Sequence, residues 1–134
     1  MDIDALLCDH ATVRDGLLHL LGGGITRVTK TRYPTELGIF LAMILTLTPS
    51  EGEEKHRVRV NIVGMDGQQI AEVNGELGVK DHPNREPGEG YVVPLPLSLA
   101  SIPIPAPGTY AVNILIDGRQ LRSLDFVASE SAAN

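Results

Sequence analysis

The stretch KHRVRVNIVGMDGQQIAEVNGELGV, Lys55 to Val79, decides the fold. His56, Val58, Val60 and Ile62 alternate with Lys55, Arg57, Arg59 and Asn61. That period of two makes a strand with one buried face. Asp66-Gly67 follows, the strongest short hairpin signal. A two-residue loop there pairs Met65 with Gln68 and fixes the rest of the register. Val60 falls opposite Val73 and Ile62 opposite Ala71 on the apolar face. Arg57 falls opposite Glu76 and Asn61 opposite Glu72 on the polar face. Both faces agree, which is a strict test, because a slip of one residue turns every side chain over.

The C-terminal part repeats this logic. Thr109 to Ile116 alternates, Asp117-Gly118 turns, and Arg119 to Val127 returns. Here a two-residue loop fails, since it sets Tyr110 against Asp125 and Val112 against Ser123. An odd-length loop, or a bulge with Gly118 in the left-handed region, pairs even positions with even ones. Tyr110, Val112, Leu124 and Phe126 then share one face.

Between these hairpins, Gly78 to Gly90 is a long polar loop. Tyr91 to Ala100 then carries Pro94 and Pro96, and Ser101 to Pro107 carries three further prolines. In an extended chain the N–H groups of residues i and i+2 point to the same side. Proline at both positions strips that side of donors, so this segment reads as an edge strand protected against pairing.

The N-terminal third is open to two readings. Val13, Leu17, Leu20 and Leu21 fall near helical spacing, with Thr12 and Asp15 resembling a capping box and Gly22 a stop. Leu37, Leu41, Ile44 and Leu45 also fit a helix. The competing reading has strands over Ile3 to Cys8 and Leu17 to Leu21 with an Asp15-Gly16 turn. It continues with Ile25 to Val28 and a buried strand over Gly38 to Leu47.

Composition bounds the rest. A chain of 134 residues suits one domain and buries enough surface to need no disulfide or metal staple. We place that domain at residues 1–128, with a polar tail at 129–134. A charged fraction of 21% against 43% hydrophobic argues for a packed core over disorder. The net charge of −6 disfavours nucleic acid and anionic membrane as partners. Trp is absent and aromatics are 4%, too few for stacking platforms that hold bases or sugars. The acidic start, Met1 to Asp4, lacks the basic region of a signal peptide, and the apolar run Leu37 to Leu47 is too short to span a bilayer. A cytoplasmic location is expected.

Two groups of residues together resemble a known family. Asp4-Ala5, Cys8-Asp9-His10-Ala11, Asp15-Gly16-Leu17 and Leu21-Gly22-Gly23-Gly24-Ile25 form one. Pro107-Gly108-Thr109-Tyr110, Ile116-Asp117-Gly118 and Phe126-Val127 form the other. The pattern is similar to a widespread family of small uncharacterised bacterial proteins, common in actinobacteria, predicted to be immunoglobulin-like or C2-like sandwiches. The resemblance spans nearly the whole chain. It implies strands in the N-terminal third and an all-β, antiparallel, immunoglobulin-like sandwich of about seven to nine strands. It implies no activity and no catalytic residue.

Candidate chemistry is sparse. In a strand, Cys8 and His10 share a face, the arrangement of a nucleophile and its base. The competing expectation is a buried structural thiol. His10, His19, His56 and His82, with Asp81, show no recognisable metal-ligand spacing, and His56 falls on the core face. Gly22-Gly23-Gly24 lacks the Gly-Lys-Ser/Thr ending of a phosphate loop and reads as a bend. Arg27, Lys30 and Arg32 form a basic stretch without a local partner, whereas Lys55, Arg57 and Arg59 are answered by Glu72 and Glu76. Asp81, Glu86 and Glu89 could gather around calcium, but Lys80 and Arg85 interrupt them.

The expectation is therefore a non-enzymatic interaction module that needs no cofactor. Its contact region is the 80–90 loop (Lys80, Asp81, His82, Asn84, Arg85, Glu86, Glu89), with Tyr91 and the proline-rich edge 91–107. Its partner is another protein. The alternatives are a structural homo-oligomer, assembling through apolar strands such as Leu37 to Leu47 and Tyr91 to Leu99, and an enzyme using Cys8 and His10.

Overall fold

A computed structural model describes residues 1–79 and 85–132. Its elements are β1 (Asp2–Cys8), β2 (His10–Arg14), β3 (Leu17–Leu21), β4 (Arg27–Lys30), β5 (Thr35–Glu36) and β6 (Phe40–Leu47), then α1 (Pro49–Gly52), β7 (His56–Gly64), β8 (Gln69–Leu77), β9 (Tyr91–Ser98), β10 (Pro103–Ile104), β11 (Gly108–Ile116) and β12 (Arg119–Glu130). The protein is all-β, and the N-terminal third is built of strands. The helical readings of residues 12–21 and 37–47 fail. Asp15 and Gly16 take φ of 54° and 72°, the left-handed pair a two-residue hairpin demands. The Thr12–Asp15 capping box is thus a strand and a turn. A true capping box stands at Thr48 and Glu51, where Pro49 opens the short helix α1.

The deciding hairpin keeps its expected register from Arg57–Glu76 through Val60–Val73 to Ile62–Ala71. Its turn differs. The Gly64 N–H donates to the Gln68 carbonyl at 3.0 Å, so Met65, Asp66 and Gly67 form a three-residue loop. Gly67 alone takes positive φ there, at 81°. Val63 then lies opposite Gln69, and Ile70 bulges to restore the register. The second hairpin inverts this. Against the expectation that such a loop fails here, Asp117 and Gly118 both take positive φ, 53° and 80°, and close a two-residue loop with Ile116 opposite Arg119. The expected even pairing is reached farther along, where Leu121 bulges and Val112 meets Leu124. Tyr110 and Phe126 then stack, ring centroids 5.4 Å apart.

A five-stranded sheet, in the order β4-β12-β11-β7-β8, faces a three-stranded sheet, β1-β6-β9. Leu41, Met43, Leu45 and Leu47 of β6 meet Val60, Ile62, Val112 and Ile114 between them, all essentially inaccessible to water. Each such side chain stabilises the fold by about 1.5–3 kcal/mol of burial. The hairpin β2-β3 lies on the outer face of the three-stranded sheet, where Cys8, Ala11 and Ala42 form a second small core with Leu6, Leu18 and Phe40.

There are twelve strands among the described residues, against an expected seven to nine. The surplus is β2 and the two-residue strands β5 and β10, which are too short to show a period. One pairing is parallel, β12 with β4. It sets Ser129 and Glu130 beside Thr29 and Lys30, and Ser131 donates to the Lys30 carbonyl at 2.9 Å. The chain expected to begin a tail at 129 is therefore sheet through Glu130.

Candidate interaction surface

The Cys8–His10 reading does not assemble. The Cys8 thiol is fully buried against Ala11 and Ala42. Burial, and then the charge of Asp9, push its pKa up, which opposes formation of a thiolate. His10 is exposed and leans on the Phe40 ring, centroids 4.5 Å apart. Gly22 to Gly24 form a bend over β1, in which the N–H groups of Gly24 and Ile25 both reach the Leu7 carbonyl, at 2.9 and 3.0 Å. Among the described residues no group of three or more His, Cys, Asp or Glu is placed to hold a metal. No helix among them is long and apolar enough to cross a membrane.

His56 is the one buried polar side chain among the described residues, 4% exposed. Its Nδ1 lies 2.6 Å from Asp117 Oδ2 and its Nε2 lies 2.6 Å from the Glu51 carbonyl. Both partners are acceptors, so the ring donates from both nitrogens and is an imidazolium. The Asp117 hydrogen bond, then the Glu51 carbonyl, hold its pKa above the ordinary 6.5, against the pull of burial. Asp117 is held below its usual 3.8, chiefly by the same hydrogen bond and then by the Arg57 N–H. This pair ties the second turn to α1 and is structural.

Of the expected contact residues, Lys80, Asp81, His82 and Asn84 lie outside the described residues. The remainder form a knot. Glu89 N–H donates to the Glu86 carbonyl and Glu86 N–H to the Glu89 carboxylate at 2.8 Å. The Arg85 guanidinium bonds the Glu89 carbonyl and lies 4.4 Å over the Tyr91 ring. Tyr91 is not on the surface: it is buried in the core, pressed so closely on α1 that a Cβ at Gly52 would stand 2.0 Å from its ring. Glu86 and Glu89 remain exposed. The basic stretch divides, with Arg27 and Lys30 on β4 and Arg32 in the chain beyond it.

The proline reading of the edge is met at atomic detail. β9 ends the three-stranded sheet. Leu99 donates to the Ile39 carbonyl at 3.0 Å, so odd-numbered residues turn their main-chain groups toward β6 and even-numbered ones turn them outward. Pro94 and Pro96 therefore sit at the positions whose N–H would face a newcomer.

Facing β9 across the sandwich is β8, which ends the five-stranded sheet. The two edges are not hydrogen-bonded to each other, and the sheets part between them. The gap is a cleft of about 90 Å³ whose floor is Met43, Val58 and Val60 and whose walls are Val73, Leu95 and Leu97. Its lip is Asn74, Gly75 and Glu76. Gly75 stands opposite Val58 on the inward face, and a Cβ placed there meets nothing within 4 Å. No sequence signal other than a glycine on the apolar side of a strand marked this opening. A second apolar area lies on the outer side of the three-stranded sheet, where Leu17, Leu21 and Val92 are 64%, 68% and 68% exposed.

The chain belongs to a family of unknown function, DUF6941, whose model matches residues 3–129. No curated protein matches it.

Proposed function

We propose that this protein is a non-enzymatic interaction module of the cytoplasm. It takes its protein partner through the 80–90 segment and the proline-rich chain 91–107. The observation that carries the reading is the parting of the two sheets between β8 and β9, where core residues such as Leu95 and Leu97 come to the surface beside polar Asn74 and Glu76. A rigid scaffold with an apolar opening and a polar rim is the usual composition of a binding surface. Affinity capture at endogenous expression tests it, using the full chain and a chain lacking Asp81 to Glu89. One stoichiometric protein is expected, with weaker recovery by the deletion. Recovery of the chain alone, as a monomer, overturns the reading.

A second reading, a self-associating subunit, has its own observation. The β2-β3 hairpin exposes Val13, Leu17, Leu20 and Leu21, and the neighbouring strand β9 exposes Val92. Clustered exposed apolar side chains mark association surfaces. Light scattering over a concentration series decides it, and a monomer at every concentration removes it.

A further inference from the structure

The sandwich has four sheet edges, and they are not alike. On β1 the outward carbonyls of Ile3 and Leu7 are taken, the first by the Arg122 guanidinium at 3.0 Å and the second by Gly24 and Ile25. β9 has lost its two central outward donors to Pro94 and Pro96. β4 is four residues long. β8 is nine residues long and contains no proline.

The direction of the β8 main chain follows from its neighbour. Arg57 spends both its N–H and its carbonyl on Asp117 of the second turn, so it has neither for β8. Its cross-strand partner Glu76 must then point its own N–H and carbonyl to the free side, as must Asn74 and Glu72 at intervals of two. None of these groups has a partner among the described residues. An unpaired row of this kind is a template for another strand.

We propose that the free edge of β8 is a strand-acceptor site: an extended segment of a partner protein, alternating apolar and basic residues, pairs with Glu72, Asn74 and Glu76 and lays its apolar side chains into the cleft beside Gly75. This rests on the module reading above and names the partner's chemistry. Residues opposite Val73 and Gly75 point inward, over Leu95 and Leu97. A space of about 90 Å³ is on the order of three water volumes and takes a branched aliphatic side chain. Residues opposite Glu72 and Glu76 point outward and meet carboxylates. Glu76 has no ion-pair partner among the described residues, and Arg59 takes Glu72 at 3.4 Å. The same charges turn away a second copy. Antiparallel β8 edges centred on Asn74 would set Glu72 against Glu76, and like charges directly opposite destabilise a sheet pair. Main-chain bonds supply affinity and alternate side chains supply specificity in this mode of recognition.

The probe is a capped seven-residue peptide alternating lysine and valine, followed through amide shifts of the full chain. Two further peptides replace lysine by glutamate or valine by serine. Saturable binding of the first below about 1 mM is expected, with both others at least about tenfold weaker. Shifts centre on Glu72, Asn74 and Glu76. Asn74→Pro removes only an outward N–H, as the prolines of β9 do. Gly75→Leu fills the lip of the cleft, and Glu76→Lys reverses its charge. Each is expected to keep the wild-type melting temperature within a few degrees and to weaken the lysine–valine peptide at least about tenfold. Glu76→Lys also improves the glutamate–valine peptide. Equal binding to wild type and a folded Asn74→Pro, or no saturable binding by the lysine–valine peptide, overturns the proposal. Capture from the native host separates this from the module reading. A stoichiometric partner that Asn74→Pro retains leaves a module that does not use β8. Peptide binding with no captured partner leaves a strand-acceptor edge without that module role.

Discussion

The two long hairpins carry the same Asp-Gly dipeptide and use it in opposite ways. At Asp117-Gly118 both residues are left-handed and the loop has two residues. At Asp66-Gly67 only the glycine is left-handed and the loop has three. Each ladder then carries one bulge, at Leu121 and at Ile70. Both end in the register that buries the apolar face. The dipeptide supplies a turn, and the demand that one face be apolar supplies the register, with a bulge absorbing the difference between them. The return strands also differ in place: β12 lies between β11 and β4, whereas β8 is an edge.

The largest effect expected follows from that difference. Phe126 on β12 is fully buried and stacked on Tyr110, so Phe126→Ala is expected to cost about 3–5 kcal/mol. Val73 is half-buried at the cleft wall, and Val73→Ala is expected to cost about 1 kcal/mol or less. Urea denaturation of both variants measures this, and equal losses would mean that β8 is as central to the core as β12.

The two aspartates separate next. Asp117 holds the imidazolium of buried His56 and the Arg57 N–H at 2.9 Å. Removing one partner of a buried charge costs about 3–5 kcal/mol. Asp117 is half exposed, so Asp117→Ala is expected to lose about 2–3 kcal/mol after allowance for solvent. Asp66 makes one local bond, to the Gln68 N–H at 3.0 Å, and Asp66→Ala is expected to lose about 1 kcal/mol. A ratio near unity would show that the two turns differ in shape alone.

The bulges make a sharper test. Ile114 pairs with Arg122 and Leu115 with Gln120, so Leu121 is the extra residue, and its deletion leaves every other pair in place. The same holds for Ile70 between Gln69 and Ala71. Each deletion is expected to cost about 1–2 kcal/mol, the loss of one partly buried side chain. Amide cross-peaks between Tyr110 and Phe126 should persist in the first variant. Their disappearance would mean that the bulge itself sets the register.

Both hairpins were readable because their polar and apolar faces are separated over long strands, nine residues in β7, β8 and β11 and twelve in β12. The N-terminal third was not. β3 buries only part of Leu18 and exposes Leu17 and Leu21, so its leucines follow neither a strand nor a helix pattern, and the family resemblance supplied the strands. β5 and β10 have two residues each, fewer than any period needs. The proline edge was legible because donor loss depends on parity along one strand. The cleft was not, because it depends on the distance between two sheets, a quantity that no single strand encodes. Tyr91 was misplaced for a similar reason: what buries it is the close approach of Gly52, far away in the chain.

The smallest effect is a pH dependence that comes from the His56–Asp117 pair. The His56 pKa is raised above 6.5 in the folded protein. Its contribution to stability is therefore complete below 6.5 and is lost as pH rises through the folded value. The Asp117 pKa is lowered below 3.8. Its contribution is complete above 3.8 and is lost as pH falls through the folded value. The pair stabilises fully only between these limits. Denaturant titrations at intervals from pH 4 to 9 should show wild-type stability declining on the alkaline side of 6.5. Asp117→Asn keeps an acceptor for the Arg57 N–H and tolerates positive φ, but it removes the charge opposite His56. Its stability should be lower near pH 5–6 and should converge toward the wild type as pH rises. Parallel curves across the range would mean that the imidazole is neutral in the fold and that the bond to Asp117 carries no charge.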